Sequence, residues 1–220
     1  FSLVDDPDSL PLLVEAIRVS VSGTAPKAVR ERLGWVLNGP DASGVVGRYE
    51  AELEQVIFSP LAVSVAEDEA ETYTVSAYFT DNSQLTDHQT LLLSIDGDTD
   101  LGLGEGSSQI GETAPVTNGV DAHITVKATE YRFATQPAGS VSGAALLTQP
   151  VVWATDGAGN VDLDFEEAVV LSTASPGELS GPMGVTAEAG AAGFTDLVYT
   201  AVSDKATFVL TVSGTEPTES

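Results

Sequence analysis

Short apolar runs in period-two alternation, each stopped within about ten residues by glycine, proline, aspartate or asparagine, most restrict how this chain can fold. Thr72–Phe79 is the strongest, because threonine, valine and tyrosine fit a pleated, half-buried surface. Leu12–Val21 also alternates, with Val14, Ala16 and Arg18 on one face and Leu13, Glu15, Ile17, Val19 and Val21 on the other. Leu33, Trp35 and Leu37 alternate until Asn38-Gly39-Pro40 stops them. Ala25–Leu37 also has a helical face of Val29, Leu33, Val36 and Leu37, but a strand is the preferred reading there. Val56–Phe58, Leu61–Val65, Leu91–Ile95 and His123–Thr129 follow. The second half repeats the style over Tyr131–Thr135, Val151–Ala154, Ala168–Leu171, Gly184–Ala187, Gly193–Tyr199 and Thr207–Ser213. No run sustains a helical period, so the expected class is all-β.

At 220 residues the chain suits one or two domains. The proposed boundary lies near Ala128–Thr129, giving modules over 1–128 and 129–220. No Gly/Ser-rich stretch separates them, so a stiff junction is expected rather than a tether. No apolar stretch reaches the 18 or so residues a membrane helix needs. A basic leader followed by an apolar signal core is also not seen. The chain reads as a piece of a longer polypeptide.

The charge excludes several partners. Lys and Arg number 8 against 33 Asp and Glu, a net charge of -25. Residues 1–50 carry 7 acids and 5 bases; residues 51–220 carry 26 and 3. Neutralising phosphates takes clustered Lys and Arg, so neither nucleic acid binding nor direct membrane insertion is expected. Self-repulsion on this scale is offset by screening salt or by bound cations, or serves only to keep a surface protein soluble. The absence of cysteine removes disulfides, thiol nucleophiles and Cys-based zinc sites.

The second module carries a family pattern. Phe133-Ala134-Thr135-Gln136-Pro137 is followed by Gln149-Pro150-Val151-Val152-Trp153-Ala154-Thr155-Asp156-Gly157-Ala158-Gly159-Asn160-Val161-Asp162. Val169–Ser172, Gly177–Gly181 and Ala191–Leu197 complete it. In this order the pieces resemble the immunoglobulin-like β-sandwich repeats of large bacterial outer-membrane and surface adhesin-like proteins, clearest over 131–213. Residues 1–128 share the style more weakly, through Tyr73–Phe79, Thr80-Asp81-Asn82-Ser83 and Thr86-Asp87. The resemblance implies tandem immunoglobulin-like sandwiches acting as a structural or adhesive stalk, secreted or at the bacterial outer membrane. It also implies neighbouring repeats of the same polypeptide as partners, with glycans or other cells met through other domains. The alternative is a carbohydrate-binding or accessory module of a secreted polysaccharide-active enzyme. Trp35 and Trp153, each inside an apolar run, are expected in the core; an exposed aromatic row would favour the alternative.

Catalytic chemistry finds little support in the residues. His88 lies in the polar turn Thr86-Asp87-His88-Gln89 and His123 in an alternating run. Two isolated histidines without a Gly-x-Ser-x-Gly elbow or cysteine suggest neither a triad nor zinc, and a surface role is preferred. Gly102-Leu103-Gly104-Glu105-Gly106 mimics a phosphate loop, but its acid repels phosphate and no helical pattern follows. Paired carboxylates for glycoside hydrolysis arise by chance among so many acids, and no cleft is indicated. The chain is therefore not expected to be an enzyme.

Calcium is the best chemical candidate, since it takes six to eight hard oxygen ligands. Asp96, Asp98 and Asp100 alternate around Gly97 and Thr99, though Leu101 and Ser107 replace the glycine and glutamate of an EF-hand. Asp156, Asn160, Asp162 and Asp164 form a second set, with Glu166 beyond. There Asn and Asp capping their own backbone is the competing explanation. Asp5-Asp6-Pro7-Asp8 is a third cluster.

Overall fold

The computed structural model describes residues 1–5, 9–108, 114–120, 122–139 and 141–214. Asp6, Pro7 and Asp8 of the third acidic cluster lie outside them. The described chain is nearly all β, as expected, and forms two compact units.

The first unit comprises Phe1–Asn82 and Gln89–His123. Its strands are β1 (Ser2–Val4), β2 (Leu12–Ser22), β3 (Leu33–Gly39), β4 (Ala42–Glu50), β5 (Gln55–Phe58) and β6 (Val63–Val65). They continue as β7 (Ala70–Thr72), β8 (Thr74–Phe79), β9 (Leu92–Ile95), β10 (Leu101–Leu103) and β11 (Val116–Thr117). One antiparallel sheet runs β11-β9-β2-β5-β4-β3-β8, with β6 and β10 also on β2, while β1 pairs with β7. Ile17, Val19, Trp35, Leu37, Val56, Phe58 and Tyr73 fill its core.

Two expectations need correction here. Ala25–Leu37 is not one strand: α1 (Lys27–Arg30) makes a single turn before β3 begins. In β2 the inward face changes midway, because Gly102 pairs with Ala16 and Leu103 with Val14, leaving Glu15 unopposed. That bulge resets the alternation, so Leu12 and Val14 are buried before it and Ile17, Val19 and Val21 after it. Val14 therefore points inward and does not share an exposed face with Arg18.

The second unit comprises Ser83–His88 and the chain from Ile124 onward. The division falls at His123/Ile124 rather than at 128/129, and a short upstream segment joins the later residues. The strands are β12 (Glu130–Thr135), β13 (Val151–Thr155), β14 (Ala168–Thr173), β15 (Gly177–Ser180), β16 (Gly184–Thr186), β17 (Ala191–Gly193), β18 (Val198–Ala201) and β19 (Leu210–Gly214). They form sheets β12-β13-β17, β16-β14-β19 and β15-β18. The run Gly193–Tyr199, expected as one strand, ends β17 and begins β18, which belong to different sheets. Val152, Ala154, Val169, Leu171, Phe194, Leu197 and Tyr199 meet in one core.

The two tryptophans separate. Trp35 is 1% exposed, as expected, whereas Trp153 is 41% exposed and is not a core residue. Val152 and Ala154 take the inward positions of β13, so the pleat turns Trp153 outward. It stands opposite Arg132 on one side and Ala191 on the other.

Candidate functional site

Ile124, Val126 and Ala128 are buried in strict alternation, yet their segment belongs to no ladder. Side chains take the place of a partner strand. Asp87 Oδ1 accepts the Val126 amide at 2.9 Å, and Asp162 Oδ2 accepts the Ala128 amide at 2.8 Å. Buried amides need acceptors, and a carboxylate supplies charge-assisted ones.

Each carboxylate is tied elsewhere too. Asp87 Oδ1 also accepts from its neighbour His88 N at 3.0 Å, and Oδ2 from Leu163 N at 2.9 Å. Asp162 Oδ1 accepts from Asp164 N at 3.0 Å, a short turn that leaves the Asp164 side chain outside. The Asp87 side chain is fully buried.

These bonds place three potential metal ligands together. His88 Nε2 lies 3.0 Å from Asp164 Oδ1 and 3.8 Å from Asp87 Oδ2. Among the described residues, the ligand atoms of Asp87, His88 and Asp164 lie within 4.8 Å of one another. His88 adopts a positive φ of 63°. Its pKa is raised, first by the hydrogen bond to Asp164 and further by the nearby charges of Asp87, Asp164 and Asp162, against partial burial. Chemically the group can hold a proton between imidazole and carboxylate, or a cation between all three.

The expected calcium ligands divide between the units. Asp156, Asn160 and Asp162 all lie in the second unit and turn inward onto the chain. Asp156 Oδ1 accepts from Ala158 N and Asn160 N at 3.0 and 2.9 Å, and its Oδ2 from Asn160 Nδ2 at 2.8 Å. Asn160 Oδ1 in turn accepts the Leu85 amide at 2.7 Å, holding the Ser83–His88 segment. Only Asp164 of this set joins the three-ligand group.

In the first unit, Asp96, Asp98 and Asp100 form the tight turn between β9 and β10. Asp96 Oδ1 accepts from Asp98 N at 3.0 Å, and Asp100 Oδ2 accepts from Asp96 N at 2.9 Å. The Asp100 carbonyl takes the Arg18 amide at 2.8 Å. Gly102–Gly106, the mimic of a phosphate loop, instead contributes Gly102 and Leu103 to β10.

Asp87 and His88 were missed as site residues because nothing local marks them. Outside their own turn, the partners of these two side chains are 39 to 76 residues distant. The signal at 162–164 is only a pair of turn-forming acids; the turn in which Asp162 Oδ1 accepts the Asp164 amide holds the first carboxylate inward and leaves the second exposed.

Of two cavities, one is mainly apolar and the other has a mixed lining. One, of about 210 Å³ in the first unit, is walled by Phe1, Val19, Tyr73, Leu93, Ile95 and Val116. The other, of about 590 Å³ in the second unit, is lined by Phe133, Gln136, Pro137, Phe208 and Val209 among others. No family model, curated protein or solved structure matches the chain.

Proposed function

We propose that this chain is a structural or adhesive segment, two immunoglobulin-like β modules, of a large secreted or cell-surface bacterial protein. Its neighbours would be further modules of the same polypeptide. The observation that carries the reading is where the most constrained polar groups direct their hydrogen bonds. Asp87, Asp156 and Asp162 bond mainly to the backbone, and Arg30 of the first unit does the same. Groups engaged mainly by backbone contacts hold a fold rather than act on a substrate. Among the described residues neither cavity is lined by a carboxylate or histidine, which supports the same reading.

Mechanical pulling of the chain between identical handles tests it. A load-bearing segment gives discrete unfolding steps that refold on relaxation; gradual extension at low force overturns the reading. Repeating the pulling in calcium and in EDTA tests calcium at the Asp96–Asp100 turn and the Asp156–Asp164 stretch.

Trp153 favours a second reading, a carbohydrate-binding module. Its exposed ring stands beside Arg132, whose guanidinium is held by Glu130 Oε1 at 2.6 Å and the Gly157 carbonyl at 3.1 Å. An aromatic face with fixed polar groups at its edge suits a sugar ring. Saturable retention on a glycan array, lost in Trp153→Ala, would favour this reading over the first.

A further inference from the structure

We propose that the second unit holds one divalent transition-metal ion of the zinc class, bound by His88 Nε2 and the carboxylates of Asp87 and Asp164. Zinc takes nitrogen and oxygen ligands at roughly 2.0–2.2 Å in tetrahedral geometry, which sets its ligands about 3–4 Å apart. The separations of 3.0 and 3.8 Å from the imidazole nitrogen already fall in that range. Asp87 is preorganised, since its two oxygens accept three amides from His88, Val126 and Leu163. Its Oδ2 accepts only one of these and keeps a lone pair. His88 and Asp164 are 49% and 67% exposed at the side chain, which leaves a path for the ion and room for a water ligand.

The burial of two carboxylates here also favours a cation nearby. Asp87 and Asp162 are both buried, and among the described residues neither forms an ion pair with lysine or arginine. The Asp164 and Asp87 carboxylates both face the His88 imidazole, at 3.0 and 3.8 Å. Buried carboxylates are ordinarily paired with a cation or coordinate a metal. The donor set selects the metal. One imidazole nitrogen and two carboxylates suit zinc and its transition-metal neighbours, whereas calcium wants six to eight oxygens. This inference goes beyond the structural reading and does not depend on it. Bound metal would tie the Ser83–His88 segment to the Asp162–Asp164 turn.

The test is isothermal titration of the EDTA-treated, dialysed full chain with zinc chloride, against calcium and magnesium chlorides at matched ionic strength. The expected result is one zinc per chain, bound at least about tenfold more tightly than calcium, with a raised Tm. Affinity falls by more than the roughly 10- to 100-fold typical of losing a contact outside the ligand set, because His88→Ala and Asp164→Asn each alter a ligand. Both replacements are at exposed side chains, and circular dichroism in EDTA checks their fold. Cobalt chloride with the unaltered protein is a second measurement that needs no variant: a four- or five-coordinate site gives intense visible bands. Equal responses to zinc, calcium and magnesium overturn the proposal in favour of screening. So does zinc binding that survives both variants, or a cobalt spectrum like that of the hydrated ion. None of these results bears on the mechanical test of the structural reading.

Discussion

Asp162 accepts the amide of Ala128, 34 residues earlier in the chain, at 2.8 Å. The bond substitutes for a strand pairing that the Ile124–Ala128 segment does not make. It therefore anchors the entry into the second unit.

Replacing Asp162 by alanine should be costly. Two amides, of Ala128 and Asp164, lose their acceptor. Leaving such groups unsatisfied costs about 1–3 kcal/mol each when buried. We expect Asp162→Ala to destabilise the second unit by about 2–4 kcal/mol, and Asp162→Asn, which keeps one acceptor oxygen, by less. Urea unfolding followed by circular dichroism measures both; an Asp162→Ala protein as stable as the original refutes the anchor.

The same turn is sensitive from the other side. Gly190 has a φ of +75°, and a Cβ there would lie 2.2 Å from the Asp162 carbonyl oxygen. Gly190→Ala combines an unfavourable backbone conformation with a clash against main chain that cannot swing away. A loss of about 2 kcal/mol or more is expected in the same unfolding assay.

Arg30 plays a comparable part in the first unit. Its guanidinium is buried and donates to the carbonyls of Ala25, Val21 and Gly23 at 2.9, 3.0 and 2.9 Å, and to Glu54 at 2.9 Å. Arg30→Ala should cost about 2–4 kcal/mol. Arg30→Lys should recover only part, because one ammonium cannot reproduce the planar fork. Full recovery by lysine would mean that charge alone matters at this position.

Each unit has its own fluorescent reporter. Acrylamide should quench Trp153 several-fold more effectively than Trp35, given exposures of 41% and 1%. The single-tryptophan proteins Trp35→Phe and Trp153→Phe separate the two signals. Equal quenching would contradict the outward orientation of Trp153.

In metal-free buffer with EDTA, stability should depend on pH through His88. Its folded pKa is raised from 6.5, chiefly by the hydrogen bond to Asp164. Folding therefore favours the protonated form. The stabilisation is fully present below the unfolded value near 6.5 and is lost as pH rises through the folded value. His88→Gln should lower Tm at pH 5.5 and have little effect at pH 9. The side chain is half exposed, so the effect is small. An equal deficit at both pH values would assign His88 a purely steric role.

The alternation of apolar residues was enough to mark the all-β class and most strands, because the pleat has a period of two that local sequence records directly. Strands β2, β5, β9, β12, β13 and β14 were legible in this way. Among the strands that no alternating run marked, β4, β10, β11 and β15 are short or rich in glycine and polar residues. They exist because a neighbour offers an edge. The β2 bulge was likewise hidden, since Glu15 is displaced only once β10 pairs across it.

Within the candidate site, the sequence by itself determined that acidic, turn-forming residues would cluster at 96–100 and 156–164. Tertiary structure alone decided what those carboxylates do. A carboxylate's partner is whichever amide or imidazole the fold brings within about 3 Å. For the Asp87, Asp162 and His88 side chains the partners outside their own turns lie 34 to 76 residues away. Side-chain direction was lost for the same reason: an apolar run suggests burial, but Trp153 faces outward because Val152 and Ala154 already fill the inward positions of β13. Where no bulge intervenes, local periodicity encodes which residues share a face; which face is covered depends on the sheet packed against it.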